Sequence, residues 1–320
     1  MLLLPAIGAI DGLEIERSAP LAPLTTLRIG GPAELLVTAH TQRSLVALLR
    51  LVRAEGVPLH LLGLGSNVLY PDEGLPGVVA RLGGVFARSR VMGDRLRAGG
   101  AVPLPRLARS AAARGLRGIE AFSGFPSTVG GAVVMNAGCY GVEMKDVLIT
   151  VTGIHRDGRR QRYRPADLEP GYRRTVLQGS GVVVASATFQ LRAGSATEAL
   201  ARIEELNRRR RASLPLGLPN AGSVFRNPPG DHAGRLIEAA GLKGARSGGA
   251  EISPKHANVI VNLGGARAAD VLALMLEARA AVRRDSGVDL EPELVLEGGL
   301  GDLWRSASAE PRAEATAVEP

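Results

Sequence analysis

Ser123-Gly-Phe-Pro-Ser-Thr-Val-Gly-Gly-Ala-Val-Val-Met-Asn-Ala-Gly-Cys-Tyr-Gly141 sets five glycines, one proline and three serine or threonine hydroxyls into an otherwise apolar run. Such a stretch gives up side-chain burial to bring bare main chain close to something. Glycine reaches positive φ and has no Cβ to hold a ligand off, and consecutive backbone N–H groups in such turns form concave anion-binding nests. A cofactor carrying a diphosphate suits that cradle. An isolated Gly-Gly would only turn the chain between buried strands, but Gly63-Leu-Gly-Ser-Asn-Val-Leu69 offers the same chemistry upstream. Two glycine loops in one half of the chain point to a ligand site.

Working outward, a strand over 34–37, a helix over 43–55 with Leu45, Leu48, Leu49 and Val52 on one face, and a strand over 59–62 form a β-α-β unit that runs into the first loop. A nicotinamide-type Rossmann fingerprint needs Gly-x-Gly-x-x-Gly between a strand and a helix. Position 68 is Val and Pro71 follows, so that reading is rejected. Further strands are expected over 78–82, 94–98, 147–155, 161–163 and 182–191, with a helix over 104–114, giving a middle lobe of mixed α+β with a largely antiparallel sheet. A helix over 197–211 ends in Arg208-Arg-Arg-Arg211, which reads as a solvated helix end where cations offset the dipole; phosphate binding is the alternative. Leu214-Pro-Leu-Gly-Leu-Pro219 has the stiffness and missing donors of an interdomain connector. Helices over 232–240 and 268–285 and a closing strand over 294–296 follow. Residues 301–320 turn polar and Ala/Glu-rich, and disorder is expected there.

Several stretches carry a family resemblance. Thr26-Leu-Arg-Ile-Gly-Gly-Pro-Ala33, Gly65-Ser-Asn-Val-Leu69 and Gly124-Phe-Pro-Ser-Thr-Val-Gly-Gly-Ala132 resemble the flavin-binding signatures of UDP-N-acetylmuramate dehydrogenase, also called UDP-N-acetylenolpyruvoylglucosamine reductase. Tyr172-Arg-Arg-Thr175, Ala221-Gly-Ser-Val-Phe-Arg-Asn-Pro228, Lys255-His-Ala-Asn258 and Leu290-Glu-Pro-Glu293 resemble that family's later motifs, in the family's order. The resemblance runs over residues 20–300. It implies an N-terminal extension (1–19), a two-lobed FAD-binding domain of the vanillyl-alcohol-oxidase/PCMH type over 20–210 (lobes 20–83 and 84–210), and a smaller α+β substrate-binding domain over 211–300. The chain resembles the shorter branch, which lacks an inserted substrate-covering loop.

The reaction so implied is NADPH-dependent reduction of the enolpyruvyl ether of UDP-N-acetylglucosamine through non-covalent FAD, in peptidoglycan precursor synthesis. It leaves negative charge over C2 and the carboxylate, which needs cationic or protonated donors and a nearby acid. Arg173 matches the family's enolate-stabilising arginine, and a guanidinium offers a carboxylate a bidentate fork. Ser223 matches the proton donor, and Glu293 the third catalytic residue, able to donate if burial raises its pKa. Alone, Arg173 would be one surface arginine among many, Ser223 a turn serine bonding local backbone, and Glu293 a solvated residue before a strand. For the flavin the resemblance carries over Gly65, Ser66, Asn67, Val68 and Leu69 from the first loop, and Gly124, Pro126, Ser127, Thr128, Val129, Gly130, Gly131 and Ala132 from the second, with Asn67 and Ser127 adding side-chain donors. Tyr172, Arg226, Asn227, Lys255 and Asn258 are candidate substrate contacts; residues 255–258 could equally pair backbone at a turn. Leu64 and Glu251 depart from the family's usual small or polar residue and Gln.

Composition fits this reading. The 320 residues carry a net charge of +8, with only three lysines (Lys145, Lys243, Lys255) among 39 basic residues. Genomic codon preference accounts for that bias, and the positive field would also gather an anionic nucleotide. Aromatic residues make up only 3%, which argues against a base-stacking surface. Cys139 is the single cysteine, so no internal disulfide can form. His40, His60, His155, His232 and His256 show no metal-ligand spacing, and no metal is expected. The apolar start lacks a basic leader and is broken by Pro5 and Asp11, and no run reaches a membrane span. A cytoplasmic monomer without nucleic-acid partners is expected. The competing readings are a flavin-dependent oxidase or dehydrogenase of the same fold acting on another sugar or alcohol, and a basic polyanion binder.

Overall fold

In this computed structural model, residues 3–307 are described. The first lobe is a four-stranded sheet in the order Leu13–Pro20, Pro32–Ala39, Leu75–Leu82, Leu59–Leu61. The first pair is antiparallel and the other two are parallel, so the expected β-α-β unit exists with Leu75–Leu82 inserted between its strands. Helix Gln42–Ala54 starts at Thr41, whose hydroxyl accepts from Ser44 N at 3.0 Å, and buries Leu45, Leu48, Leu49 and Val52 against Val37 and Val78.

Of the N-terminal extension expected over 1–19, residues 3–19 are described and pack against the first lobe. Leu13–Pro20 is the edge strand of this sheet, and Ile7 is fully buried in its core.

The second lobe holds a five-stranded sheet in the order Arg160–Tyr163, Leu148–Ile154, Val183–Gln190, Arg95–Gly99, Ser89–Met92, antiparallel throughout as expected. Helices Leu104–Ala112 and Ala196–Ser213 pack beside it, the latter running two residues past the expected boundary at 211. The second glycine stretch differs from a plain loop: Val129–Val134 is a short helix. Thr128 caps it by accepting from Gly131 N at 3.2 Å, while Val129, Ala132 and Val133 turn into the core. Glycine costs a helix about 1 kcal/mol relative to alanine, but a Cβ on Gly130 would stand 3.0 Å from the Gly100 carbonyl oxygen.

The last domain is an antiparallel sheet, in the order Asn220–Ser223, Val259–Asn262, Ala250–Ile252, Arg246–Ser247, backed by helices Ala233–Ala239 and Ala268–Ser286. It is locked to the first lobe. Val295–Leu296 pairs in parallel with Val68–Leu69, and Leu27, Ile29 and Leu69 belong to the last domain's core. Asp72 of the first lobe caps the long helix across the junction, accepting from Ala268 N at 2.9 Å and Ala269 N at 3.3 Å. Removing a capping side chain costs about 0.5–2 kcal/mol. Asp72→Ala should therefore lower the urea midpoint by the equivalent of about 1 kcal/mol; an unchanged midpoint would show that the cap adds nothing.

The expected disorder from 301 is also corrected. Helix Leu300–Ser306 seats Trp304 against Phe225, ring centroids 6.0 Å apart, with the Arg279 guanidinium 4.7 Å from the indole. Trp304, with Leu300 just ahead of it, gives this turn something to bury that composition averaged over 301–320 conceals. The rest of that segment lies outside the described residues.

Candidate active site

The two glycine loops meet. A Cβ on Gly63 would lie 2.9 Å from Thr128 Oγ1, and both loops line one cleft of about 1190 Å³ where the three lobes converge. That exceeds the roughly 300–1,000 Å³ of an ordinary small-molecule site.

The loops do different work. In the second, Val129 N donates to Val102 O, Gly130 N to Gly100 O, Gly131 N to Thr128 Oγ1 and Ala132 N to Thr128 O. These donors close the fold rather than face a ligand. In the first, no hydrogen bond among the described residues uses the N–H groups of Gly63, Leu64, Gly65, Ser66 or Asn67. Gly65 has φ +61°, and a Cβ there would stand 2.2 Å from the Leu24 carbonyl oxygen. Five bare donors on a turn that admits only glycine fit a diphosphate.

Side chains of the same loops bond within the protein. The Asn67 amide donates to the Glu293 carbonyl oxygen at 3.0 Å, and Ser127 Oγ to its neighbour Thr128 O at 3.0 Å. Gly65, Ser66, Asn67, Val68, Pro126, Ser127, Thr128, Gly130 and Gly131 line the cleft. Leu69, Val129 and Ala132 do not; their alternation and helical spacing turn them into the core. Gly124 sits behind the wall, where a Cβ would meet Asn207 and Arg210.

Arg173, Ser223 and Glu293 all line this cleft. Arg173 stands in the turn closed by Gly171 N to Arg174 O, with φ +55°. Its Nε donates to Glu293 Oε1 at 2.9 Å and its Nη2 to Gly138 O at 2.9 Å, while Tyr172 stacks 5.1 Å from the guanidinium carbon. Glu293 is fixed by its own N–H to Val224 O at 2.9 Å, beside Ser223. Burial pushes the Glu293 carboxyl above the usual carboxylate range, with Arg173 and then Arg226 pulling the other way. Ser223 is half-buried on an edge strand whose register shifts between Asn220 and Ser223, where Gly222 takes φ +74°. Such a bulge re-aims the side chain that follows it.

The candidate substrate contacts are placed elsewhere. Tyr172 is exposed and stacks on Arg173, outside the cleft lining. Arg226 approaches Glu291 at 3.6 Å, its Nε buried without a partner among the described residues. Asn227 Oδ1 accepts from Ala233 N at 3.1 Å at a helix start, and Lys255 Nζ donates to Arg211 O at 2.7 Å, tying the last domain to the long helix. Asn258 is buried with both amide atoms on the Phe225 backbone, at 2.8 and 2.9 Å. Both Lys255 and Asn258 thus bond main chain far along the sequence, at Arg211 and Phe225.

Arg210 was missed. The Arg208–Arg211 run reads as solvated, yet Arg210 lines the cleft with its Nε buried and without a partner among the described residues. Burial lowers its pKa, opposed by Cys139 and Tyr140. Cys139 beside it donates Sγ–H to Ala121 O at 3.0 Å, and burial pushes its thiol up to about 11, against the pull of Arg210 and Arg173. Also unforeseen is His60, which meets Glu297 at 2.7 Å in the cleft wall. Arg28, Arg81, Arg156, Arg173 and Arg210 face only Glu293 and Glu297 there, so the cleft is positive.

Two family models match: FAD binding domain over residues 33–164, and UDP-N-acetylenolpyruvoylglucosamine reductase, C-terminal domain, over 214–296. UDP-N-acetylenolpyruvoylglucosamine reductase 2 of Symbiobacterium thermophilum is 49% identical over 288 residues, covering 90% of this chain and 94% of that protein. The Heliobacterium modesticaldum reductase is 45% identical, covering 88% and 90%. The crystal structure of UDP-N-acetylenolpyruvylglucosamine reductase from Thermus caldophilus superposes with a TM-score of 0.77 at 40% identity, covering 89% of this chain and 99% of that one. With an FAD-binding α+β fold and this extent of identity, the chain belongs to the UDP-N-acetylenolpyruvoylglucosamine reductase family.

Proposed function

We propose that the protein reduces UDP-N-acetylenolpyruvoylglucosamine to UDP-N-acetylmuramate with NADPH, a step of peptidoglycan precursor synthesis. The convergence of Arg173, Ser223 and Glu293 on the cleft that both glycine loops line carries this reading. When bound, FAD supplies the hydride relay from NADPH to C3 of the enol ether. Residues 63–67 suit its diphosphate through their bare N–H groups, and the neutral, internally bonded Cys139 thiol supports non-covalent binding. Arg173 holds the substrate carboxylate, taking negative charge as it develops. That incoming anion competes with Glu293 for the guanidinium and raises the Glu293 carboxyl further, so Glu293 enters as a proton-bearing donor. Ser223 delivers the proton to C2. Arg210 adds an uncompensated cation to the same cleft.

Purified protein should be yellow and should consume NADPH only when the enol ether is added. Oxygen consumption with a simple sugar or alcohol, indifferent to Arg173 and Ser223, would overturn the assignment. Gly65→Ala offers a separate check on the cradle: its Cβ has no room and φ +61° strains any L side chain. The variant should purify pale, with the flavin-to-protein absorbance ratio well below wild type; full flavin content would place the diphosphate elsewhere.

A further inference from the structure

We infer that Asn136 is a positioning residue for Arg173, gripping the arginine's turn from the end of the short glycine-rich helix. This rests on the function proposed above. Asn136 lies just past Val129–Val134, is 1% exposed and holds φ +40°. Its Nδ2 donates to Gly171 O at 3.0 Å and to Glu143 Oε2 at 3.1 Å, and its Oδ1 accepts from Lys145 N at 3.0 Å. Gly171 is the first residue of the turn that carries Arg173, and its carbonyl also receives Arg174 N at 3.3 Å. On the other side of the turn, buried Thr175 donates Oγ1–H to Val134 O at 2.7 Å.

The turn is thus stapled at both ends to one helix end, through Asn136 and Val134. The opposite end of that helix, at Thr128, Gly130 and Gly131, walls the cofactor cleft. One short helix therefore sets the place of that cleft wall and of the turn that carries the guanidinium. Side-chain amide geometry is required at 136: the position needs a donor toward Gly171, an acceptor for Lys145, and a residue that tolerates the left-handed region, which asparagine does.

Asn136→Gly separates these demands, since glycine keeps the backbone conformation but loses the amide. Flavin content and the rate of flavin reduction by NADPH should match wild type. Reoxidation by the enol ether should slow about 10–100-fold, the scale of a misplaced catalytic group. Combined with Arg173→Ala, the same change should slow reoxidation no further. Thr175→Val should reproduce the pattern from the other staple, which keeps the test decisive if the glycine variant folds poorly. Reoxidation at the wild-type rate in both variants, or an undiminished further loss in the Arg173→Ala background, would overturn the inference. Wild-type protein that the enol ether does not reoxidise would instead remove the proposed function beneath it.

Discussion

Ser223→Ala is expected to leave flavin reduction by NADPH near normal while slowing reoxidation by the enol ether about 10²–10⁴-fold, the range contributed by a positioned proton donor. The backbone around Ser223 does not depend on its hydroxyl. Val224 N bonds Asn258 O at 2.9 Å, Phe225 is held through both its N–H and carbonyl by the Asn258 side chain, and Gly222 N is anchored on Asn220 Oδ1 at 3.0 Å. Deleting one oxygen from this frame removes a proton source and little else. A serine hydroxyl is a poor acid in water, so it serves only because the carbon it protonates is strongly basic and cations stand nearby. Arg173 supplies one of them, and the neighbouring Glu293 supplies a group whose ionisation burial discourages. Stopped-flow measurement of the two half-reactions separates the outcomes. Equal loss in both would make Ser223 a structural residue, and an unchanged second half-reaction would assign the proton to another group.

Only the family resemblance singled out Arg173, Ser223 and Glu293, whereas the glycine loops and the helices left marks of their own, and the difference follows from the range of the forces involved. A glycine that must avoid a backbone oxygen, as Gly65 must avoid Leu24, leaves a local mark in the chain, because only glycine will do. Amphipathic spacing likewise exposed helix Gln42–Ala54 and the antiparallel middle sheet. The helix at 129–134 left a weaker mark: its propensity is poor, and it exists because Thr128 caps it and Gly130 admits the Gly100 carbonyl. Arg210 shares its charge with three neighbours, and only the packing of Gly124 against it distinguishes the inward-facing member of the run. His60 and Glu297 are 237 residues apart, and Asp72 caps a helix 196 residues away. Pairings of that reach depend on how the domains dock, which no local pattern encodes. Asn67 shows the same limit from the other side: the loop is legible, but the partner its amide takes, the Glu293 carbonyl 226 residues along the chain, is not.

Arg173 should give the other large effect, and its two substitutions separate charge from geometry. Arg173→Ala removes a charge-stabilising donor, worth about 10²–10³ in rate at comparable sites, and should slow the second half-reaction by that order with flavin reduction spared. Arg173→Lys should fall between alanine and wild type. Its single ammonium keeps the charge but cannot reach Glu293 Oε1 and Gly138 O together, as Nε and Nη2 do at 2.9 Å each. Both replacements are L residues without β-branching at φ +55°, so the backbone strain of the turn is similar in each and the difference reports the side chain. The pH profile supplies a second, signed readout. Burial raises the Glu293 carboxyl and Arg173 is the first of the groups that lower it, so losing the guanidinium moves that carboxyl further up. If Glu293 works as a proton-bearing donor, reoxidation falls as pH rises through its pKa, and this basic limb should lie at higher pH in Arg173→Ala than in wild type. Lysine retains most of the field and should displace the limb less. An acid limb in its place, with the rate rising through that pKa, would mean that the carboxylate form of Glu293 is the working one and that its contact with Arg173 is the resting arrangement the substrate must keep rather than break; a basic limb that stays fixed would belong to another group.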